Sequence, residues 1–293
     1  METAPAFECT ALSKSFGRRE ILAGLSLRIE AGETVGLLGA NGAGKTTLLK
    51  ILLGLMPASA GSTAIAGERS RSLSKMARGR IAYVPQTPTQ FAWLTGQSML
   101  KYIAAFYPAF DWAYTRSLAE RWKVSLKTPI GLLSPGQQQR LSILRALGPR
   151  PDFVVLDEPI AALDPATRMA VIEELTHEHR ERGISVIFSS HITADLQRFC
   201  TRFIVLANET IALNETTEEC RRLERITVTG DEERLRELTF EHCKHVRKSR
   251  DGERVLVCST DRVDALMAQL PPALAAAVDA SEDLESIFSE WMQ

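Results

Sequence analysis

Short apolar runs alternate with longer stretches of helical periodicity through the first two thirds of the chain. Phe7 to Thr10, Leu25 to Ile29 and Thr34 to Leu38 are patterned as strands. Thr47 to Leu53 carries apolar residues at helical spacing, and Gly61 to Gly67 predicts a turn with a short strand. Arg80 to Val84 is a further strand that ends at Pro85-Gln86. From about Thr95 to Lys123 the pattern becomes helical and aromatic. Phe153 to Leu156 is an uninterrupted apolar run, as expected of a central parallel strand. Thr167 to Arg182 predicts an amphipathic helix, with Gly183 at the position where helices commonly close. Ser185 to Phe188 and Phe203 to Leu206 are two more strands. Strands alternating with helices predict an α/β fold built on a mainly parallel sheet.

The texture changes at Glu215 to Glu224, which is charged and poor in apolar residues. Beyond it the elements are short. Arg225 to Thr229 and Arg254 to Cys258 are strand-like; Glu232 to Leu238, Asp261 to Leu270 and Glu282 to Trp291 are helix-like. They predict a small α+β domain, ferredoxin-like in pattern, which carries no chemical motif. No repeat of fixed period is present.

Composition narrows the classes. The 293 residues, 45% of them hydrophobic, suffice for more than one core. Thirty-five basic side chains balance 36 acidic ones, so no basic field points to nucleic acid, and no such partner is expected. Met1 to Pro5 includes an acid and no apolar stretch, unlike a secretory signal. No stretch of roughly 18 uncharged apolar residues occurs to span a bilayer. Ile51 to Ala60 is the longest candidate and is too short. Cysteines 9, 200, 220, 243 and 258 form no C-x-x-C pair and suit reduced thiols. His242-Cys243-Lys244-His245 lacks a second ligand pair at zinc-site spacing.

The most informative segment is Gly39-Ala40-Asn41-Gly42-Ala43-Gly44-Lys45-Thr46, which fits G-x-x-x-x-G-K-[ST] between a strand and a helix. Glycines let successive N–H groups point into one concavity that binds anionic oxygens. The helix N-terminus adds partial positive charge. Lys45 can reach outer phosphates, and the Thr46 hydroxyl can ligate Mg²⁺. A second anion site is suggested by Ser134-Pro135-Gly136-Gln137. Ser134 suits an N-cap, Pro135 the first helical position, and Gln137 completes a capping box.

Leu133-Ser134-Pro135-Gly136-Gln137-Gln138-Gln139-Arg140 resembles the signature motif, L-S-G-G-Q, of ATP-binding cassette (ABC) proteins. Pro135 departs from it, removing an N–H that needs no intrahelical partner. Phe153 to Pro159 resembles the Walker B motif with Asp157 and Glu158. Gln86 resembles the Q-loop glutamine, Leu163-Asp164-Pro165 the D-loop, and Ser190-His191 the switch histidine. Phe16 stands where the family places an aromatic that stacks on adenine. All occur in family order between Phe16 and His191, and the resemblance covers about the first 214 residues. The single cassette, the compact insert between Gln86 and Ser134 and the acidic last helix around Leu284 to Phe288 are most like ABC-2-type exporter subunits.

The resemblance implies a P-loop NTPase fold, RecA-like and mainly parallel, over residues 1–214. It adds antiparallel N-terminal strands and a helical insert at about 87–150; residues 215–293 form the accessory domain. It implies ATP contacts from Phe16, the segment Gly39 to Thr47, Ser134, Gly136, Gln137 and Asp164. Mg²⁺ would be held by Thr46, Gln86 and Asp157. Glu158 would polarise the attacking water, with Gln86 and His191 also catalytic. The implied assembly is a head-to-tail dimer with a second cassette, identical or paralogous. It would be coupled to separate transmembrane permease subunits, making the chain cytoplasmic and peripheral on the inner face of the cell membrane. Phe91, Trp93 and Leu94 either wall a groove for a partner's helix or belong to the core of the insert. The alternative function is a soluble ABC ATPase in assembly or regulation. One P-loop and one signature disfavour tandem-cassette translation factors, and the lack of long heptads disfavours chromosome-type proteins.

Overall fold

A computed structural model describes residues 4–87, 91–191, 196–229, 243–246, 253–270, 275–279 and 284–292. Three sheets organise it. The first is antiparallel, in the order β2-β1-β4-β5, from β1 (Phe7–Phe16), β2 (Arg19–Ile29), β4 (Ala60–Ile65) and β5 (Glu68–Arg69). The second has six strands in the order β10-β9-β3-β8-β7-β6. These are β3 (Thr34–Gly39), β6 (Ile81–Val84), β7 (Phe153–Asp157), β8 (Ser185–Ser189), β9 (Arg202–Ala207) and β10 (Thr210–Thr216). All its pairings are parallel except β10 with β9.

β3, β7 and β8 are buried along their whole length, which explains their uninterrupted apolar sequences. The two faces of this sheet serve two cores. Phe153 and Val155 of β7 join the core beneath the antiparallel sheet and α1 (Lys45–Leu52). Val154 and Leu156 join the core on the other face. That second core is roofed by α3 (Gly96–Ala104), α4 (Trp112–Arg121), α5 (Pro135–Leu147) and α6 (Pro165–Arg182). Short α2 (Lys75–Gly79) precedes β6. The expected helical stretch from Thr95 to Lys123 is two helices. The segment containing Pro108 separates them, and Asp111 caps the second through the Tyr114 N–H. Gly183 closes α6 in the left-handed region, at φ 65°.

Parallel register brings the C-terminal ends of the central strands to one edge. Leu37 of β3 and Asp157 of β7 both lie beside Ser189 of β8. Ligands of open α/β sheets bind at this edge.

After α7 (Thr217–Cys220) comes the third sheet, antiparallel, in the order β12-β13-β11-β14. It contains β11 (Leu223–Thr229), β12 (Cys243–Val246), β13 (Glu253–Ser259) and β14 (Ala275–Asp279), with α8 (Val263–Gln269) after β13. Strand alternation splits its side chains. Leu256 and Cys258 pack with Leu266 in a small separate core, whereas Val257 joins the large core of the central sheet. The last helix, α9 (Leu284–Met292), returns to the cassette. Its apolar stripe of Leu284, Ile287, Phe288 and Trp291 is buried there, and Phe288 lies 5.1 Å from Phe203 of β9, ring centre to ring centre. Arg225 of β11 ion-pairs with buried Glu290 at 2.8 Å, tying that helix to the third sheet. The helix expected at Glu232 to Leu238, His242, and Glu282 lie outside the described residues.

Candidate functional site: the P-loop cleft

β3 delivers the chain to Gly39 at φ 152°, where an added Cβ would stand 2.6 Å from the Leu206 carbonyl oxygen. Gly44, at φ 97°, is equally constrained, because a Cβ would meet Leu22 at 2.9 Å and Ile21 at 3.1 Å. A side chain is thereby excluded at these two positions, where the loop packs against β9 and β2. Gly44 is the N-cap of α1, which has no side-chain cap and no acid in its first turn. Every helix from α2 to α7 is capped by a Ser, Thr or Asp side chain instead. The first N–H groups of α1 are thus left for an external anion.

Lys45 opens α1 and is only 6% exposed. Its Nζ donates to the carbonyls of Gly39 at 2.7 Å and Ala40 at 3.3 Å, and ion-pairs with Glu158 at 3.2 Å. A cleft of about 290 Å³ opens over this lysine. Phe16, Ala40, Asn41, Gly42, Gly44, Lys45, Thr46, Thr47, Gln86 and Glu158 line it, as expected from the sequence. Arg19 and Ile21 line it too and were not anticipated. Phe16 is half exposed at the rim and pairs with Arg19 across the end of the β1–β2 hairpin. The hairpin turn at Gly17 was the available signal. Lys14 stands 4.8 Å from the Phe16 ring centre and is anchored to the Pro57 carbonyl at 2.9 Å.

Asp157 ends β7 with no exposed surface. Its Oδ1 accepts from the Ser189 hydroxyl at 2.9 Å and its Oδ2 from the Tyr83 hydroxyl at 3.4 Å. Burial, and then the Asp157 charge and hydrogen bond, push the Tyr83 phenol well above its ordinary pKa. Glu158 follows in the left-handed region, at φ 48°. For a side-chain-bearing residue this is a strained conformation, of the kind that concentrates at functional sites. The turn aims Glu158 back at the cleft, and its Oε2 meets Nδ1 of His191, which does not itself line the cleft, at 2.8 Å. The half-exposed His191 stands two residues past Ser189, the last residue of β8.

The signature segment forms the reciprocal capping box its sequence implied. The Ser134 hydroxyl accepts from Gln137 N–H at 3.3 Å, and Gln137 Oε1 accepts from Ser134 N–H at 3.1 Å. Asp164 caps α6, accepting from Thr167 N–H at 3.0 Å and its hydroxyl at 2.7 Å, which hold this carboxyl below its usual range. Ser134, Gly136, Gln137 and Asp164 do not line the P-loop cleft. Within one chain the signature helix and the P-loop share no part of this cleft.

The pocket fits a nucleoside triphosphate: a cradle of N–H groups, a buried lysine and an open aromatic rim. The Thr46 hydroxyl, Gln86 amide and Asp157 carboxylate are hard oxygen donors of the kind Mg²⁺ takes.

A model of the family described as ABC transporter matches residues 22–161. The chain is 30% identical over 223 residues to the uncharacterized ABC transporter ATP-binding protein YxlF of Bacillus subtilis (strain 168), covering 74% of this chain and 73% of that one. The chain belongs to the ABC transporter ATP-binding family. As such it is an ATP-binding protein and an ATPase. It is also 36% identical over 200 residues to the Nod factor export ATP-binding protein I of Burkholderia lata, covering 67% of this chain and 66% of that one. Among solved structures, one described as the ATP binding subunit of an ABC transporter superposes with a TM-score of 0.68 at 29% identity, over 74% of this chain and 92% of that one.

Proposed function

We propose that this ATPase powers an ABC-2-type exporter whose membrane domains are separate chains, through ATP-driven head-to-tail pairing of two cassettes. One observation carries the reading: the chain presents two complementary halves of an anion site that share no cleft. The P-loop of one cassette holds the phosphates through the α1 N-terminus and Lys45, while Phe16 stacks on the base. The signature helix of the second cassette offers Ser134 and the Gly136 N–H to the terminal phosphate. ATP favours the closed pair because only that state makes both sets of contacts.

Thr46, Gln86 and Asp157 would hold Mg²⁺, which neutralises charge on the phosphate oxygens. Glu158 accepts the proton of the attacking water, and His191 orients Glu158 from the exposed side. Loss of the γ-phosphate removes what bridges the halves, and the pair opens.

Among the described residues no helix is long and apolar enough to cross a membrane. The insert, however, displays an edge-to-face ladder of Phe91, Trp93, Tyr102 and Phe106, all exposed. Leu94 instead packs inward against the core. An exposed aromatic patch of this kind suits a partner's apolar helix. Export is supported by the resemblance to a Nod factor export subunit. Residues 215–293 we assign to an accessory domain for regulation or cassette pairing. Solubilising membranes in detergent and recovering the tagged chain tests the proposal. Co-purification of a polytopic membrane protein is expected; a purely soluble pool would favour an assembly or regulatory ATPase.

A further inference from the structure

We infer that Ser189 is a positioning residue that sets both acids of the Walker B segment through a single hydroxyl. The inference rests on the roles proposed above for Asp157 and Glu158. Ser189 is the last residue of β8 and has no exposed surface. Parallel pairing places it directly beside Asp157. Its Oγ donates to Asp157 Oδ1 at 2.9 Å and accepts from the Glu158 N–H at 3.0 Å. The Ser189 carbonyl shares that N–H at 3.2 Å.

The chemistry leaves this hydroxyl one arrangement. An ionised carboxylate only accepts and a backbone N–H only donates. The Ser189 proton must therefore point to Asp157 and its lone pair to Glu158. The first bond fixes which way the Asp157 carboxylate faces. The second holds Glu158 in its left-handed turn, from which its carboxylate reaches Lys45 at 3.2 Å and His191 at 2.8 Å. One buried oxygen thus ties the metal-side acid to the water-side acid. Alanine cannot do this, and cysteine offers only a weak donor and acceptor. Threonine retains the hydroxyl and tolerates a strand.

The test uses the full chain with Ser189→Ala, Ser189→Thr and Ser189→Cys. Steady-state ATP hydrolysis gives kcat and KM. Binding of a fluorescent ATP analogue is measured with Mg²⁺ and with EDTA, and thermal unfolding checks the fold. Loss of an outer-shell partner at a metal site commonly costs about 10- to 100-fold. Ser189→Ala should lower kcat by about that factor with KM within about threefold. Its EDTA binding should match the parent chain, while the gain in affinity on adding Mg²⁺ shrinks. Ser189→Thr should recover most of the turnover, and Ser189→Cys should not. If Ser189→Ala fails to fold, the Thr and Cys pair decides. Unchanged kcat in Ser189→Ala, or in Ser189→Cys where the alanine variant does not fold, overturns the inference. So does an equal loss of binding in EDTA and Mg²⁺, or a threonine variant as inactive as the cysteine one. Asp157→Asn and Glu158→Gln run alongside separate the two levels. If both retain parental turnover, the Walker B roles fail first. If both lose it and Ser189→Ala does not, only the positioning role fails.

Discussion

The ion pair between Lys45 and Glu158 permits a quantitative test of the cleft. Both side chains are 6% exposed, and their charged atoms lie 3.2 Å apart. At an effective dielectric constant near 20, charges at this distance attract by about 5 kcal/mol before desolvation is subtracted. Lys45→Ala removes that attraction and strands a buried carboxylate, which breaks a pair at a cost of about 3–5 kcal/mol. The lower end applies, because Glu158 retains His191 as a partner at 2.8 Å. Glu158→Gln should cost less, about 1–2 kcal/mol, since the Lys45 ammonium keeps the Gly39 carbonyl. If the two groups act on each other, the double mutant will lose about 2 kcal/mol less than the sum. Urea unfolding followed by tryptophan fluorescence, in EDTA and without nucleotide, measures all four proteins. Repeating it with ATP at about 100 times Kd should add ~2.7 kcal/mol to the parent and nothing to Lys45→Ala. Additivity within about 0.5 kcal/mol would refute the coupling. Full stabilisation of Lys45→Ala by ATP would refute the phosphate role.

Further outcomes follow from the same geometry. Glu158→Gln should bind ATP, hydrolyse it about 10²- to 10⁴-fold more slowly, and accumulate an ATP-dependent dimer on gel filtration. Parental turnover would mean another group takes the proton. Phe16→Ala should weaken ATP binding by about 1–3 kcal/mol, the scale of one base stacked on an aromatic ring, by isothermal titration. An unchanged Kd would move the base elsewhere. Phe288→Ala, at a site with no exposed surface against Phe203, should destabilise the whole chain by about 3–5 kcal/mol. If only the C-terminal sheet loosens in hydrogen exchange, α9 does not brace the cassette.

Much of the cassette was legible because its signals are local. The glycines of the P-loop, the capping box of Ser134 and Gln137, and the αL position of Gly183 each need only neighbouring residues to be recognised. The central strands were visible as apolar runs because both faces are buried. The first hairpin was less legible. β1 and β2 extend well past Thr10 and ahead of Leu25, but register shifts near Ala11, itself at φ 47°, break the period-two pattern. Residues whose roles depend on distant partners could not be found from sequence. Ser189 meets Asp157 only through strand pairing, and Phe288 meets Phe203 only because the last helix folds back. The apolar stripe of that helix was evident, but nothing in it named the surface it covers.

The head-to-tail composite site is tested most directly by mixing two inactive variants. Lys45→Ala disables the P-loop half, and Ser134→Arg disables the signature half by filling the space of the opposing phosphate. Neither should hydrolyse ATP alone. In a mixed pair, the intact P-loop of the Ser134→Arg chain faces the intact signature of the Lys45→Ala chain. Random pairing at equal amounts should then restore on the order of a quarter of the parental ATPase rate, as an isologous two-fold pair with two reciprocal composite sites requires. No recovery at concentrations where the parent chain is active, or Ser134→Arg active by itself, would contradict a site shared between two cassettes.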